Sequence, residues 1–304
     1  MDNQQEKQTS FKGILALTIC ALIWGTAFVA QAIGADSADP LTFNWARSIL
    51  ATVFLTVLSY GLDKYNHKDF TLLGTENSIQ QSKLLKGGFL AGAMLTTASF
   101  FQQFGIMQTS VGKAGFITAL YIVFVPLFAF LFFRRKITKL QILSVVVAIV
   151  AMYFISITEE FTISKGDFLV FLCAIFFTLQ ILSIDYYGDG IDGIRLSMIM
   201  FATCTVLNGI LMFIFENPNF SLLLTGWAPI LYLGVMSSGI AYTLQIIGQQ
   251  YCNPLLACML MSLESVFALI SGWIVLGQVM SGREIFGCIL LMGAIVMAQL
   301  PDRK

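Results

Sequence analysis

Charge is scarce in this chain. Only 11% of its 304 residues are Asp, Glu, Lys or Arg, against about 25% in a soluble domain, which excludes an ordinary water-soluble globule. Histidine is almost missing: His67 is the one copy, so neither a histidine-rich metal site nor an intramembrane histidine triad can be assembled. No GxxxxGK[ST] loop is present to cradle phosphates, which argues against primary ATP-driven transport by this chain. The six cysteines (Cys20, Cys173, Cys204, Cys252, Cys258, Cys288) lie in or beside apolar runs. They have no metal-ligand spacing and no loop pair for a disulfide, and read as small core-filling residues. Asp185, Asp189 and Asp192 form the one acidic cluster. It reads as a solvated loop, whereas an intramembrane prenyl- or lipid-transferase needs two such motifs facing a cavity.

Hydrophobic residues fill the space that charge leaves, at 57% of the chain with a mean hydropathy of +0.82. A bilayer-spanning helix needs roughly 20 apolar residues, and ten such runs follow a polar start. They cover approximately 13–32, 40–60, 87–107, 111–133, 138–157, 166–186, 194–214, 226–248, 254–276 and 282–300. The fold class expected is therefore an all-α polytopic membrane protein with polar tails at 1–12 and 301–304. The first run lacks a small-residue cleavage site after a short core, so no cleavable signal peptide is expected. The longest polar connection, 61–86, reads as an irregular surface segment.

Lys and Arg set the expected orientation. With the N-terminus in the cytoplasm, thirteen of the seventeen cations fall on inside segments: Lys7, Lys12, Lys64, Lys68, Lys83, Lys86, Arg134, Arg135, Lys136, Lys139, Arg195, Arg303 and Lys304. Three fall outside (Lys113, Lys165, Arg283) and Arg47 lies within a span. Both termini are thus expected in the cytoplasm, with the chain in the cytoplasmic (inner) membrane.

The two halves echo each other. Gly13-Ile-Leu-Ala-Leu-Thr-Ile-Cys20-Ala21 aligns with Gly166-Asp-Phe-Leu-Val-Phe-Leu-Cys173-Ala174 at an offset of 153. Gln102-x-x-Gly105 falls on Gln245-x-x-Gly248 at an offset of 143, and the same offset takes Ser110 to Asn253, Leu120 to Leu263, Phe124 to Phe267, Thr138 to Ser281 and Ala151 to Ala294. Two five-span units are expected, over 13–157 and 166–300. Five is odd, so the second unit enters the membrane inverted, as in secondary transporters whose site lies near the midplane between the units.

The chain resembles bacterial members of the drug/metabolite transporter superfamily with two EamA-type halves. The resemblance rests on Trp24-Gly25, on Pro40 with Phe43 and Arg47, and on Gly112-Lys-Ala-Gly-Phe-Ile-Thr-Ala-Leu-Tyr121 with Pro126. Further along it rests on Leu233-Gly-Val-x-Ser237-Ser-Gly239-x-Ala-Tyr242 and on Ser262-Leu-Glu264-Ser-Val-Phe-Ala268 running to Leu276-Gly277. It implies a ten-helix, exporter-type carrier of small metabolites such as amino acids and related compounds, and not an enzyme. Two positions depart from the family pattern. Ser265 replaces a proline, which is expected to remove a helix break from the ninth span, and Gln278 replaces a glutamate, which removes a charge.

Ionisable groups inside a membrane span are candidate functional residues. Glu264 is ten residues past Pro254, about 15 Å into a ~30 Å core at 1.5 Å per residue. Arg47 is seven residues past Pro40, about 10 Å below the opposite surface. The two depths place them within side-chain reach if their helices adjoin, either as an ion pair fixing helix packing or as separate groups in a polar cavity. Glu264 is the sole midplane carboxylate and the candidate proton-coupling group. Tyr121, its counterpart at offset 143, is a candidate substrate contact or a packed tyrosine. Gln102 and Gln245 either line a pathway or tie helices together. Trp24 is too deep for an interfacial belt and either lines the cavity or packs. Lys113 reads as snorkelling to the headgroups. The glycine runs at 87–92 and 234–238 read as seams of close helix packing. The cavity is expected among the first, second, third, fourth, eighth and ninth spans. The partners expected are a small-molecule substrate and the lipid bilayer, with no nucleic acid, no cofactor, no metal and no catalytic residue. The alternatives to a carrier are a passive pore or lipid-handling protein, then an intramembrane transferase.

Overall fold

In the computed structural model, residues 10–34, 39–109, 111–135, 137–157, 164–277 and 279–300 are described. The outer parts of both tails, Ser110, Lys136, Gln278 and the side chain of Lys113 lie outside that set. Every regular element among the described residues is helical. The ten spans are Phe11–Gly34, Pro40–Tyr65, Ser78–Ile106, Val111–Thr118 continued by Tyr121–Phe133, Lys139–Ser156, Lys165–Tyr187, Gly193–Phe215, Trp227–Gln250, Pro254–Met261 continued by Leu263–Leu276, and Gly282–Gln299. The second to the tenth are long and apolar enough to cross a membrane, and Phe11–Ala27 supplies the apolar stretch of the first.

Local chemistry fixes the helix ends. Pro40 and Pro254 open the second and ninth spans at the position where a missing N–H costs nothing. Thr138 with Gln141, Ser164 with Asp167, and Ser281 with Glu284 form capping boxes for the fifth, sixth and tenth spans. The fourth and ninth spans stop at residues in the left-handed region, Arg134 (φ 53°) and Gly277 (φ 66°). The offset of 143 relates these two stops, and also Thr138 to Ser281.

The 61–86 connection is shorter than its polarity suggests. The second helix continues to Tyr65 and the third begins at Ser78, nine residues before its apolar run. Asn77 starts it by accepting from the N–H groups of Ile79 and Gln80. The polar first turns, with Gln80, Gln81, Lys83 and Lys86, extend the helix past its apolar part.

Contacts between helix ends show that the spans alternate in direction. At one end Ser10 N–H donates to the Tyr251 carbonyl, Lys83 Nζ donates to the Asp189 carbonyl at 2.7 Å, and Gln250 donates to the carbonyls of Gly188 and Ile191. Arg135 pairs with Asp185 (2.6 Å) and Arg195 with Asp63 (2.5 Å) at the same end. At the opposite end Glu216 accepts from Leu41 N–H (2.7 Å) and from the N–H and hydroxyl of Thr42 (2.8 Å each), and Thr109 bonds Asp167. The described core therefore begins and ends on one face, and that face carries most of the Lys and Arg. The acidic cluster departs in part from the solvated loop its composition suggests. Asp185 is 1% exposed and ion-paired, and Asp192 caps the seventh span while pairing with Arg195.

Packing follows a swapped pattern. The second and seventh spans pack against each other, as do the fifth and tenth; the first lies against the eighth and ninth, and the sixth against the third and fourth. Small residues set the close approaches. A side chain on Gly13 would strike the Gly248 carbonyl and one on Gly248 the Gly13 carbonyl, and the Gly105–Gly166 contact has the same form. Gly87, Gly88 and Gly92 seat the third span on Tyr187, Ile199 and Thr203 in the same way. Outward, the helices present Val53, Val57, Phe130, Phe213, Ile274 and Ile289, an apolar surface fit for acyl chains with the backbone satisfied inside each helix.

Candidate functional site

Two polar places interrupt the apolar interior, and the eighth span shapes the first. Its middle, Leu233–Ala241, is wound as a π-helix, a wider turn that recurs at functional sites. Gly234 and Gly239 let this segment lie against Leu50 and Phe54 of the second span. The widened turn directs Ser237 and Ser238 at Arg47. Arg47 Nε donates to Ser238 Oγ at 3.0 Å and Nη2 to Ser237 Oγ at 3.4 Å. A small cavity of about 20 Å³ lies beside the guanidinium, walled by Asn44, Thr96, Cys204, Asn208 and Tyr242 among others.

The second place surrounds Glu264. The ninth span changes its winding just before it: Ser262 Oγ bonds the Met259 carbonyl (2.7 Å) and Ser265 N–H reaches only back to the Ser262 carbonyl (3.2 Å). The fourth span breaks at the matching place, where Leu120, Ile122 and Val123 donate to carbonyls three residues back. The break expected to vanish with Ser265 in place of proline is therefore present. A serine hydroxyl competing for the helix's own carbonyl supplies it. Glu264 has no hydrogen-bond or ion-pair partner among the described residues. It lies within electrostatic range of Cys20, Tyr121 and Tyr242.

Arg47 and Glu264 do not pair. Tyr242 stands within electrostatic range of both, and its ring meets Trp24 edge-on at 4.8 Å between centroids. Trp24 is held there by its Nε1, which donates to the Ser237 carbonyl at 3.3 Å. Trp24 and Tyr242 thus form an aromatic pair that the π-helix positions.

The other expected residues scatter. Tyr121 is buried on the Glu264 side, so the two positions related by offset 143 face a common region. Gln245 is 1% exposed and forms a reciprocal amide pair with Gln180 of the sixth span, 3.3 Å in each direction. It ties helices and does not line the cavity. Gln102 reaches Thr118 of the fourth span at 3.5 Å and makes no contact with Gln245. The cavity lies among the second, third, seventh and eighth spans, so Phe201, Cys204 and Asn208 of the seventh replace the expected first, fourth and ninth.

Asn44, Thr96 and Asn208 do not stand out in the sequence because they are neutral, and Ser237 and Ser238 stand there only within the family pattern and a small-residue seam. One usable signal is there. Asn44 lies one turn before Arg47 (i, i+3) and before Ser48 (i, i+4), which brings its side chain beside both.

A bundle of ten alternating apolar helices around buried ionisable groups and a small polar cavity defines a polytopic membrane protein. The family described as the EamA-like transporter family matches residues 11–157 and again 164–299, and the chain belongs to it. The chain is therefore a membrane transporter. It is 28% identical over 286 residues to an uncharacterized transporter of Archaeoglobus fulgidus, covering 94% of this chain and 85% of that protein. A solved crystal structure superposes with a TM-score of 0.75 at 15% identity, covering 94% of this chain and 96% of the other; that likeness concerns the fold alone.

Proposed function

We propose that the protein is a secondary carrier exporting small metabolites across the cytoplasmic membrane by alternating access of two inverted five-helix units, 13–157 and 166–300. The observation that carries this reading is the pair of isolated charges, Arg47 and Glu264, held apart at the centre of an apolar bundle. An ionisable group kept inside a membrane without an opposite charge beside it has a cost that packing alone does not offset, which supports a role for each toward something that arrives there. The swapped contacts of the two halves and their constant sequence offsets support the inverted arrangement. The excess of Lys and Arg at the end where the described core begins and finishes supports cytoplasmic termini.

The cavity favours a carrier over an open pore, because water-sized space does not conduct. Glu264 is the proton-coupling candidate: it is a carboxylate near a helix break, with Tyr121 and Tyr242 nearby and no fixed cation among the described residues. Efflux measured in inverted vesicles carrying Glu264→Gln tests it. Transport by the variant should persist only as exchange and lose its response to an imposed pH gradient. A variant whose efflux follows the gradient as the parent's does removes Glu264 from the coupling.

A further inference from the structure

The cavity beside Arg47 collects unmet hydrogen-bonding capacity. A guanidinium has five N–H donors, and Arg47 uses two of them on neutral serine hydroxyls. No carboxylate among the described residues lies within ion-pair distance of it. On the same cavity, Asn44 Nδ2, Thr96 Oγ1 and Asn208 Oδ1 are buried without a hydrogen-bond partner among the described residues, on side chains only 4%, 2% and 3% exposed. Folded proteins leave few such atoms, and each one calls for a water, an ion or a ligand. Here three converge on one cavity with a lone cation. The present space of about 20 Å³ admits one water, which meets hydrogen bonds but leaves the positive charge uncompensated.

We infer that this cavity is the recognition site for a monoanionic, carboxylate-bearing solute, with Arg47 as its counter-ion and Asn44 and Thr96 as neutral donors. The inference rests on the carrier reading in one respect, that the solute is cargo. The planar fork of a guanidinium matches a carboxylate in shape and in hydrogen-bond direction. One positive charge balances one negative charge. No second Lys or Arg among the described residues lines the cavity, so a doubly charged phosphate would stay half neutralised. Glu264 does not fill the role from within, because it forms no ion pair or hydrogen bond with Arg47. Asn208 Oδ1 is an acceptor at the same cavity and suits a hydroxyl donor on the solute. The spans must part to admit a solute, since the cavity in this structure is water-sized.

The test uses the purified full chain and matched pairs: acetate with acetamide, lactate with lactamide, propionate with propionamide, against sodium chloride of equal ionic strength. Carboxylates should raise the thermal unfolding midpoint by about 2–4 °C, amides should not, Arg47→Gln should lose the difference, and Arg47→Lys should keep part of it. The contrast within each pair is read on the unmodified protein, so a variant that fails to fold does not decide the matter. Equal shifts from amide and carboxylate, no shift from any carboxylate, or a full response in Arg47→Gln overturns the inference. Counterflow of the same compounds in proteoliposomes separates the two readings. Carboxylates that bind without exchanging uphold the anion site and reject the carrier; exchange confined to neutral solutes upholds the carrier and rejects the anion site.

Discussion

Thr52 and Thr205 share a hydrogen bond of 3.2 Å between the second and seventh spans, and they stand 153 residues apart. The same offset relates Asp63 to Glu216 and Thr42 to Arg195. At one end of this helix pair Asp63 accepts from Arg195; at the other Glu216 accepts from Thr42. The pair is therefore clamped at both ends by equivalent carboxylates around a central threonine contact, and both clamps are closed in this structure.

Opening one clamp should loosen that end alone. Asp63→Asn leaves the mostly buried Arg195 with only Asp192 as a charged partner among the described residues and should cost about 3 kcal/mol, the lower part of the range for breaking a buried pair. Ser59, buried beside this clamp, is the reporter. A cysteine placed there should react faster with maleimide in the Asp63→Asn background. Unchanged labelling would mean that the clamp does not hold that end.

Gly25 is where the first span touches the ninth most closely. A side chain there would collide with Phe267 Cβ and the Glu264 carbonyl. Gly25→Ala should destabilise by about 1–3 kcal/mol, the usual cost of overpacking. Gly61 has open space around it, and Gly61→Ala should stay within about 0.5 kcal/mol of the parent. Thermal melting in one detergent compares them, and equal midpoints would show that the contact yields without cost.

Ser265→Pro should be tolerated. The residue's N–H already bonds three residues back, across a break, so little helix remains there for proline to disrupt. A proline at Leu269, inside the following helix, should cost about 3 kcal/mol or more. Expression and monodispersity of the two variants give the comparison, and equal loss in both would mean that the break does not relieve the strain.

The Gln180–Gln245 pair should be strongly non-additive. Either single change to Leu strands a buried amide at a cost of about 1–3 kcal/mol, whereas replacing both removes the need for a partner. A double-mutant cycle on unfolding midpoints measures it. Simple addition of the two losses would mean that the amides do not depend on each other. Transport should survive in the double variant if Gln245 only ties helices.

Part of the site is legible in the amino-acid sequence. Arg47 and Glu264 stand out because each is a full charge inside an apolar run. Their neutral companions do not stand out. Asn44, Thr96 and Asn208 matter only because they converge on one cavity from three helices. Ser237 and Ser238 matter because the π-helix directs them at Arg47. Gln245 is the repeat counterpart of Gln102, yet its amide meets Gln180, because helix rotation and not repeat position selects a neighbour.

The sequence by itself determined the spans, their alternation and the basic face. These follow from burial preference along a single helix, where about 20 apolar residues and flanking Lys or Arg suffice. Caps such as Asn77, Thr138, Asn253 and Ser281 are local too, each a bond across two or three residues, although the polarity of 61–86 hides the one at Asn77. Tertiary structure decided which groups meet. Arg47 reaches serines 190 and 191 residues away, and that distance is closed by helix crossings set at small-residue contacts, which no local pattern encodes.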